Sequence, residues 1–207
     1  MQFYLETERL ILRRFAAYDV DNLVALDSDP EVMRFINGGV PTSREVVQHR
    51  ILPGFLRSYD RNPGFGAWAA IERASGDFIG WLSLRPAEGG TPDNVALGYR
   101  LRRAAWGKGY ATEGARAVIR KAFAELGVRR VFATTYEHNL ASRRVMEKAG
   151  LTLVRRYRLT PADLAATNTF DGATSQDVWE GDEVEYALLR VDWQRQAGQD
   201  GGVGAHA

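Results

Sequence analysis

The sequence predicts a single α/β (α+β) domain, and three observations carry that prediction. Apolar residues alternate with small or polar ones in Phe65–Glu72, Phe78–Leu84, Val95–Leu101, Val131–Tyr136 and Val184–Leu189, the period of half-buried strands. Between the third and fourth of these runs, Ala111, Ala115, Val118, Ile119, Ala122, Phe123 and Leu126 recur at spacings of three and four, which puts them on one helical face. A chain of 207 residues with 45% hydrophobic and 11% aromatic content is long enough for one sizeable core and short for two.

In chain order, Leu10-Ile11-Leu12 reads as a first strand, followed by helical segments from Asp19 to about Asp27 and from Glu31 to Ile36, the latter opened by Pro30. After the break at Asn37–Pro41, Thr42 is placed to cap a helix, with Glu45 completing a capping box. That helix runs to Pro53 or resumes towards Tyr59. Ala74-Ser75-Gly76-Asp77 joins two strands as a hairpin. Residues 1–193 then make up the domain, 158–182 reads as a polar insertion before the last strand, and 194–207 reads as a disordered tail.

Composition narrows the function. The net charge is +1, from 27 basic and 26 acidic side chains, so no global field favours nucleic acid or an anionic membrane. The absence of cysteine excludes disulfides, thiolate metal sites and a cysteine nucleophile. His49, His138 and His206 lack paired ligand spacing, so no metal site is expected. The first residues carry charge without a continuous apolar core and no run is long enough to span a bilayer, so a cytoplasmic protein is expected.

The most informative stretch is Trp106-Gly107-Lys108-Gly109-Tyr110-Ala111-Thr112-Glu113, which joins a strand to a helix beginning near Gly109. The first amides of that helix have no partner within it, and its dipole adds partial positive charge, so the turn can hold an anion. A tight strand-to-helix turn accounts for two glycines equally well. The pattern is neither Gly-x-Gly-x-x-Gly nor a phosphate loop ending Gly-Lys-Ser/Thr.

A second segment makes the pattern specific. Strand-like Val131–Tyr136 is followed by Asn139-Leu140-Ala141-Ser142-Arg143-Arg144-Val145-Met146-Glu147-Lys148-Ala149-Gly150-Leu151. Together with the glycine loop, this resembles the GNAT superfamily of N-acetyltransferases. The opening Glu6-Thr7-Glu8-Arg9-Leu10-Ile11-Leu12-Arg13 is similar to the branch that contains the ribosomal-protein N-terminal acetyltransferases. The resemblance implies a twisted, mostly antiparallel central sheet, flanked by helices and splayed near a CoA site.

It also implies roles. Acetyl-CoA would be the co-substrate, its pyrophosphate held by Trp106, Gly107, Lys108, Gly109, Tyr110, Ala111 and Thr112. Its pantetheine arm would pair with the backbone of Leu101, Arg102 and Arg103 and touch Asn139, which can also cap the helix that follows. Arg102, Arg103, Arg143 and Arg144 could meet the CoA phosphates or lie on a solvated face. Where many members carry a Tyr that serves the departing thiolate, this chain has Met146; Ser142, one turn beyond Asn139, is the replacement expected to contact CoA and donate that proton.

The carboxylate often found before the Gly-Tyr pair is missing, since the chain reads Val95-Ala96-Leu97-Gly98-Tyr99. Glu137 and Glu185 are the candidates for a base acting through water. An α-amine is neutral in roughly one molecule in ten at pH 7, and a lysine amine in only about one in 2,500, so a weakly basic acceptor needs less help. Glu113 is explained by the helix dipole. Trp81 and Tyr99 could line an acceptor pocket or belong to the core, and the acidic run Glu180, Asp182, Glu183 and Glu185 could attract a cation.

The expected function is acetyl-CoA-dependent acetylation of a primary amine by direct attack, consistent with the lack of a cysteine nucleophile. The resemblance favours a protein N-terminus as acceptor, with a small amine such as an aminoglycoside or polyamine as an alternative. A non-catalytic acyl-CoA sensor is the alternative. A homodimer through the insertion or the last strands is a further expectation.

Overall fold

The computed structural model describes residues 3–86, 90–158 and 181–200. Strands β1 (Phe3–Glu6) and β2 (Leu10–Arg14) lead into helices α1 (Val20–Asp27) and α2 (Pro30–Asn37). A short α3 (Arg44–Val46) then passes through a π-helical stretch, Val47–Ile51, into α4 (Leu52–Arg61). Next come β3 (Gly66–Glu72), β4 (Phe78–Pro86), β5 (Asn94–Leu101), α5 (Tyr110–Glu125), β6 (Arg130–Tyr136), α6 (Leu140–Lys148), β7 (Thr152–Tyr157), β8 (Glu183–Leu189) and α7 (Arg190–Asp200).

The eight strands form one sheet in the order β1-β2-β3-β4-β5-β6-β8-β7. Every neighbouring pair is antiparallel except β5 and β6. That parallel pair is joined by α5, the crossover that parallel pairing requires. The predicted α/β architecture, with a mostly antiparallel sheet flanked by helices, is the one observed.

Helices cover the two faces unequally. One face, with Leu82, Leu84, Leu97, Val131, Val184 and Leu188, packs with Val118, Ile119 and Phe123 of α5 into the larger core. On the other face Leu23, Leu26, Ile51 and Phe55 of α1 to α4 cover Ala67, Ala69 and Trp81 of β3 and β4. A buried ion pair fixes the first connection: Arg13 donates to both oxygens of Asp19 at 2.7 Å. Burial opposes ionisation of Asp19, but the bonds from Arg13, the Ala16 amide and Asn22 outweigh it and hold the carboxyl below its usual range.

Three details depart from expectation. Ser43, not Thr42, caps α3, accepting from Val46 N at 3.3 Å, while the Thr42 amide bonds Asp27 O at 2.9 Å and ties the loop back to α1. Pro53, which has no N–H, does not end the helix but sits in the first turn of α4, directly after the π-helical stretch. Helix α7 carries regular structure past residue 193, where the tail was expected to begin. Residues 201–207 and most of the 158–182 insertion (159–180) lie outside the described residues.

Candidate functional site

β5 and β6 pair only through Asn94, Ala96 and the residue between them, against Arg130, Val131 and Phe132, and then part. The Arg102 amide donates to Ile79 O at 2.8 Å, which sets the phase of the β4–β5 ladder. Residues 96, 98 and 100 then direct their backbone groups to β4, and Leu97, Tyr99 and Leu101 direct theirs into the opening beside β6. One of those groups is already used, since the Leu101 carbonyl accepts from Trp106 Nε1 at 2.8 Å. The opening is therefore a strand edge without a strand, a fit for an amide-bearing ligand arm.

Two hydroxyls meet across this opening. Tyr99 Oη, from β5, lies 2.9 Å from Ser142 Oγ and donates to Ser142 O at 3.0 Å, in the first turn of α6. Burial pushes the Tyr99 phenol up to about 12, with the Ser142 bond pulling it partly back, so the phenol keeps its proton at neutral pH. Asn139 caps α6, its Oδ1 accepting from Ser142 N at 3.2 Å, and its Nδ2 donates to Thr135 Oγ1 at 3.1 Å. The cap thus fixes where Ser142 stands. Met146 is buried in the core.

The glycine loop stands at the N-terminus of α5. Gly109 is its N-cap with φ 84°, and Glu113 N is the first amide to bond back, to Gly109 O at 3.0 Å. The amides of Tyr110, Ala111 and Thr112 consequently have no acceptor within the helix. Gly107 has φ 74°, and a Cβ there would meet nothing within 4 Å. The space a side chain would fill is open beside three free amides, which suits a diphosphate.

The N-terminal segment braces this loop, a feature not read from the sequence. Arg9 Nη1 donates to Lys108 O at 2.9 Å, and Arg9 Nε and Nη2 bind Glu113 at 2.7 and 2.6 Å. Glu113 also accepts from Thr7 Oγ1 at 2.6 Å and from the Arg9 amide at 2.9 Å. Burial opposes its charge, but these bonds prevail and lower its pKa. The dipole reading of Glu113 was incomplete: the residue joins β2 to α5. Only the family-like pattern Glu6–Arg13 hinted at this, because the partners lie about a hundred residues apart in sequence.

Other expected donor-site residues are divided between ligand-facing and structural positions. Trp106 is exposed beside the loop, and Lys108 is exposed within it. Tyr110 is buried and its hydroxyl bonds Glu72. The Arg102 and Arg103 side chains turn towards α1 and α2, Arg102 Nη2 to Asn22 Oδ1 at 3.3 Å and Arg103 Nε to Asp29 Oδ2 at 3.3 Å, and their carbonyls accept from the Ala105 and Trp106 amides at 2.9 and 3.0 Å, so with its amide on Ile79 O the Arg102 backbone does not offer the arm-pairing groups expected of it. Arg143 is likewise engaged, donating to Tyr186 Oη at 3.0 Å and Glu137 O at 2.9 Å.

The acceptor expectations need correction. Leu82 lies opposite Tyr99, and Trp81 opposite Arg100, so the register puts Trp81 and Tyr99 on opposite faces of the sheet. Trp81 belongs to the core under α4, where its ring meets Phe55 edge-on at 5.9 Å, while Tyr99 packs against the larger core. The two rings do not form one pocket. The proposed bases are also held. Glu185 is bonded by Arg130 through one oxygen and by Arg155 through the other, at 2.7 Å. Glu137 pairs with Arg156 at 3.1 Å and lies 3.7 Å from His138. Both carboxylates are thus committed to ion pairs.

A third carboxylate differs. Glu183 sits two residues before Glu185, hence on the same face, opposite Tyr136 of β6 and Tyr157 of β7. Its bonded partners are hydroxyls, with Tyr157 Oη donating at 2.6 Å and Thr134 contributing a second bond. Burial pushes its pKa up, and the nearby Glu185 charge adds to this against the pull of the hydroxyls and Arg155. On the same face of β4, Trp81 Nε1 and Ser83 Oγ are buried without a hydrogen-bond partner among the described residues. Among the described residues no cluster of His, Asp and Glu could hold a metal, and no helix is long and apolar enough to cross a membrane.

Comparison with known proteins agrees with this geometry. Residues 9–152 match the acetyltransferase (GNAT) domain family. The chain is 36% identical over 199 residues to the FsC-acetyl coenzyme A-N(2)-transacetylase of Aspergillus fumigatus, covering 92% of this chain and 78% of that protein. The fold superposes on a GNAT-family acetyltransferase from Bacillus anthracis with a TM-score of 0.69 and 26% identity, over 92% of this chain and 99% of the other. It also superposes on RimL, a ribosomal L7/L12 alpha-N-protein acetyltransferase in complex with coenzyme A, with a TM-score of 0.67, 18% identity and coverage of 91% and 98%. With more than half its length matched by the family and a splayed sheet facing a glycine-capped helix, the chain belongs to the GNAT acetyltransferases, which transfer an acetyl group from acetyl-CoA to nitrogen.

Proposed function

We propose that this enzyme acetylates the primary amine of a discrete compound rather than a protein N-terminus. The relative with 36% identity is named for transfer at an N(2) position, and a numbered nitrogen belongs to a defined compound. The likeness to RimL, at 18% identity, speaks to the fold.

The observation that carries the catalytic reading is the Tyr99–Ser142 hydroxyl pair at the opening between β5 and β6. The free amides at the start of α5 and the space beside Gly107 receive the diphosphate of acetyl-CoA. Backbone groups of Leu97 and Tyr99 face the pantetheine arm and the thioester. The amine attacks the thioester carbon, a C–N bond forms and the C–S bond breaks. Ser142 Oγ gives its proton to the departing sulfur and is re-protonated through Tyr99, whose phenol stays protonated at neutral pH. Products are the acetamide and CoA thiol.

A thiol-release assay with acetyl-CoA tests this, using spermidine, kanamycin, L-ornithine and a peptide with a free α-amine. Release with one of the three small amines and not with the peptide is the expected result. Turnover only with the peptide would return the acceptor to a protein N-terminus. Tight acetyl-CoA binding with no release from any of them would favour a sensor.

A further inference from the structure

We propose that Glu183 is the catalytic residue that takes the proton from the acceptor's ammonium group, with Tyr157 holding its carboxylate in place. This rests on the acetyltransferase reading above and assigns the step which that reading leaves open.

Three observations converge on it. Among the described carboxylates near this end of the sheet, Glu185 is paired with Arg130 and Arg155, Glu137 with Arg156 and Asp182 with Arg158. Glu183 is bonded through hydroxyls. Its position is also suitable. β8 begins at Glu183, opposite Tyr136 at the last position of β6, which is the end where β6 has left β5 and where Asn139 starts α6. The carboxylate therefore stands one strand behind β6, the strand that bounds the opening, on the face opposite the α6 side, where Tyr186 bonds Arg143 and Glu147.

That placement separates the two reactants. The donor's anionic end belongs to the α5 side, so an amine entering from the other face meets the carboxylate before it meets the thioester.

The step balances. The ammonium R–NH3+ gives one proton to the Glu183 carboxylate and becomes R–NH2, whose lone pair forms the new C–N bond. The second nitrogen proton lost in forming the acetamide is matched by the proton that leaves with the thiol. Glu183 returns its proton to water as product departs. Groups facing this carboxylate are Tyr157 and Arg155 from β7, Thr134 and Tyr136 from β6, and Glu185 on its own strand, itself bonded to Arg130.

The test is the pH profile of kcat/KM for whichever panel amine the wild-type enzyme acetylates best, in wild type, Glu183→Gln and Tyr157→Phe. Glu183→Gln is expected to lose about 10²-fold at pH 7, a size usual for a general base, with acetyl-CoA affinity within threefold of wild type. Its remaining rate should follow the free-amine fraction, without the carboxylate limb. The Tyr157 hydrogen bond favours the charged form of Glu183, so Tyr157→Phe should move that limb to higher pH. A loss of stability alone would move neither limb. If wild type turns over and both variants keep its profile, the assignment is overturned and the acetyltransferase reading stands. If wild type releases no thiol with any amine, both are overturned together.

Discussion

The donor side and the acceptor side of this sheet are built from different materials. Around the opening, the groups we assign to acetyl-CoA are mostly backbone: the three amides at the start of α5 and the strand edge of Leu97–Leu101. On the opposite face the groups we assign to the acceptor are side chains, Glu183, Tyr157 and Thr134, whose meeting depends on the register of three strands. Backbone recognition tolerates side-chain change and so keeps one donor across many sequences. Side-chain recognition does not, which leaves the acceptor free to differ.

The largest expected effect lies where the two sides meet. Ser142→Ala removes the hydroxyl beside sulfur but leaves Tyr99 Oη bonded to the residue-142 carbonyl, at 3.0 Å in the native chain, so the opening should keep its shape. Steady-state kinetics should show kcat falling about 10²-fold, with KM for acetyl-CoA changed by less than about threefold. An unchanged kcat at every pH would take the proton-donor role from Ser142 and leave it as a packing residue against the donor arm.

The donor side alone is tested by Gly107→Ala. None of the described residues lies within 4 Å of the added methyl, so its costs are the left-handed backbone, about 1–2 kcal/mol, and occupancy of the anion seat. Acetyl-CoA affinity, read by calorimetry, should weaken by about tenfold or more. The acceptor's KM, measured at saturating acetyl-CoA, should stay put. Weakening of both would mean that the two sides are not separable.

What was legible follows the same division. The glycine pair, Asn139 and Ser142 are local motifs, each tied to an adjoining strand or helix, and period-two runs revealed five of the eight strands and part of β2. β7 was not seen because it is an edge strand exposed along nearly its whole length, with Leu153 and Val154 adjacent and both in solvent and the register shifting between Leu153 and Arg155, so no alternation exists to read. β1, at the other edge and four residues long, failed for a similar reason. Trp81 and Tyr99 were paired in error because which face a strand residue takes depends on its partner's register, and one step reverses it. Glu183 was visible only as one member of an acidic run. Its distinction is what neutralises its neighbours, Arg130 and Arg155, and those contacts come from other strands.

A smaller effect is expected where the N-terminal segment supports the donor loop. Arg9→Ala removes the bond to Lys108 O and half of the grip on Glu113, so acetyl-CoA should bind about threefold more weakly, a change of roughly 0.6 kcal/mol, by the same calorimetry. The Glu113 pKa is depressed, so the stability from this brace is present above the ordinary carboxylate pKa and is lost only as pH falls through the lower folded value. The difference in Tm between wild type and Arg9→Ala should therefore persist from neutral pH to about pH 5 and shrink in stronger acid. A difference that vanished already near neutrality would show that the ion pair with Glu113 is not its source.

The smallest effect has the opposite sign and belongs to the acceptor face. Glu183 has a raised pKa, so its contribution to stability is full below the ordinary Glu value and lost as pH rises through the folded one. At neutral pH the protein holds a largely buried carboxylate that would be better solvated in the unfolded chain. Glu183→Gln removes that charge while keeping a hydrogen-bond acceptor for Tyr157. Its Tm at pH 7.5 should rise by about 2–4 °C, the size of about 1 kcal/mol in a domain of this length, and the gain should disappear near pH 4, where the native side chain is itself neutral. A variant that is slower and yet more stable marks a residue kept for chemistry. A fall in Tm at both pH values would mean instead that the carboxylate holds β7 and β8 together, and that the polar face is structural where the donor side is not.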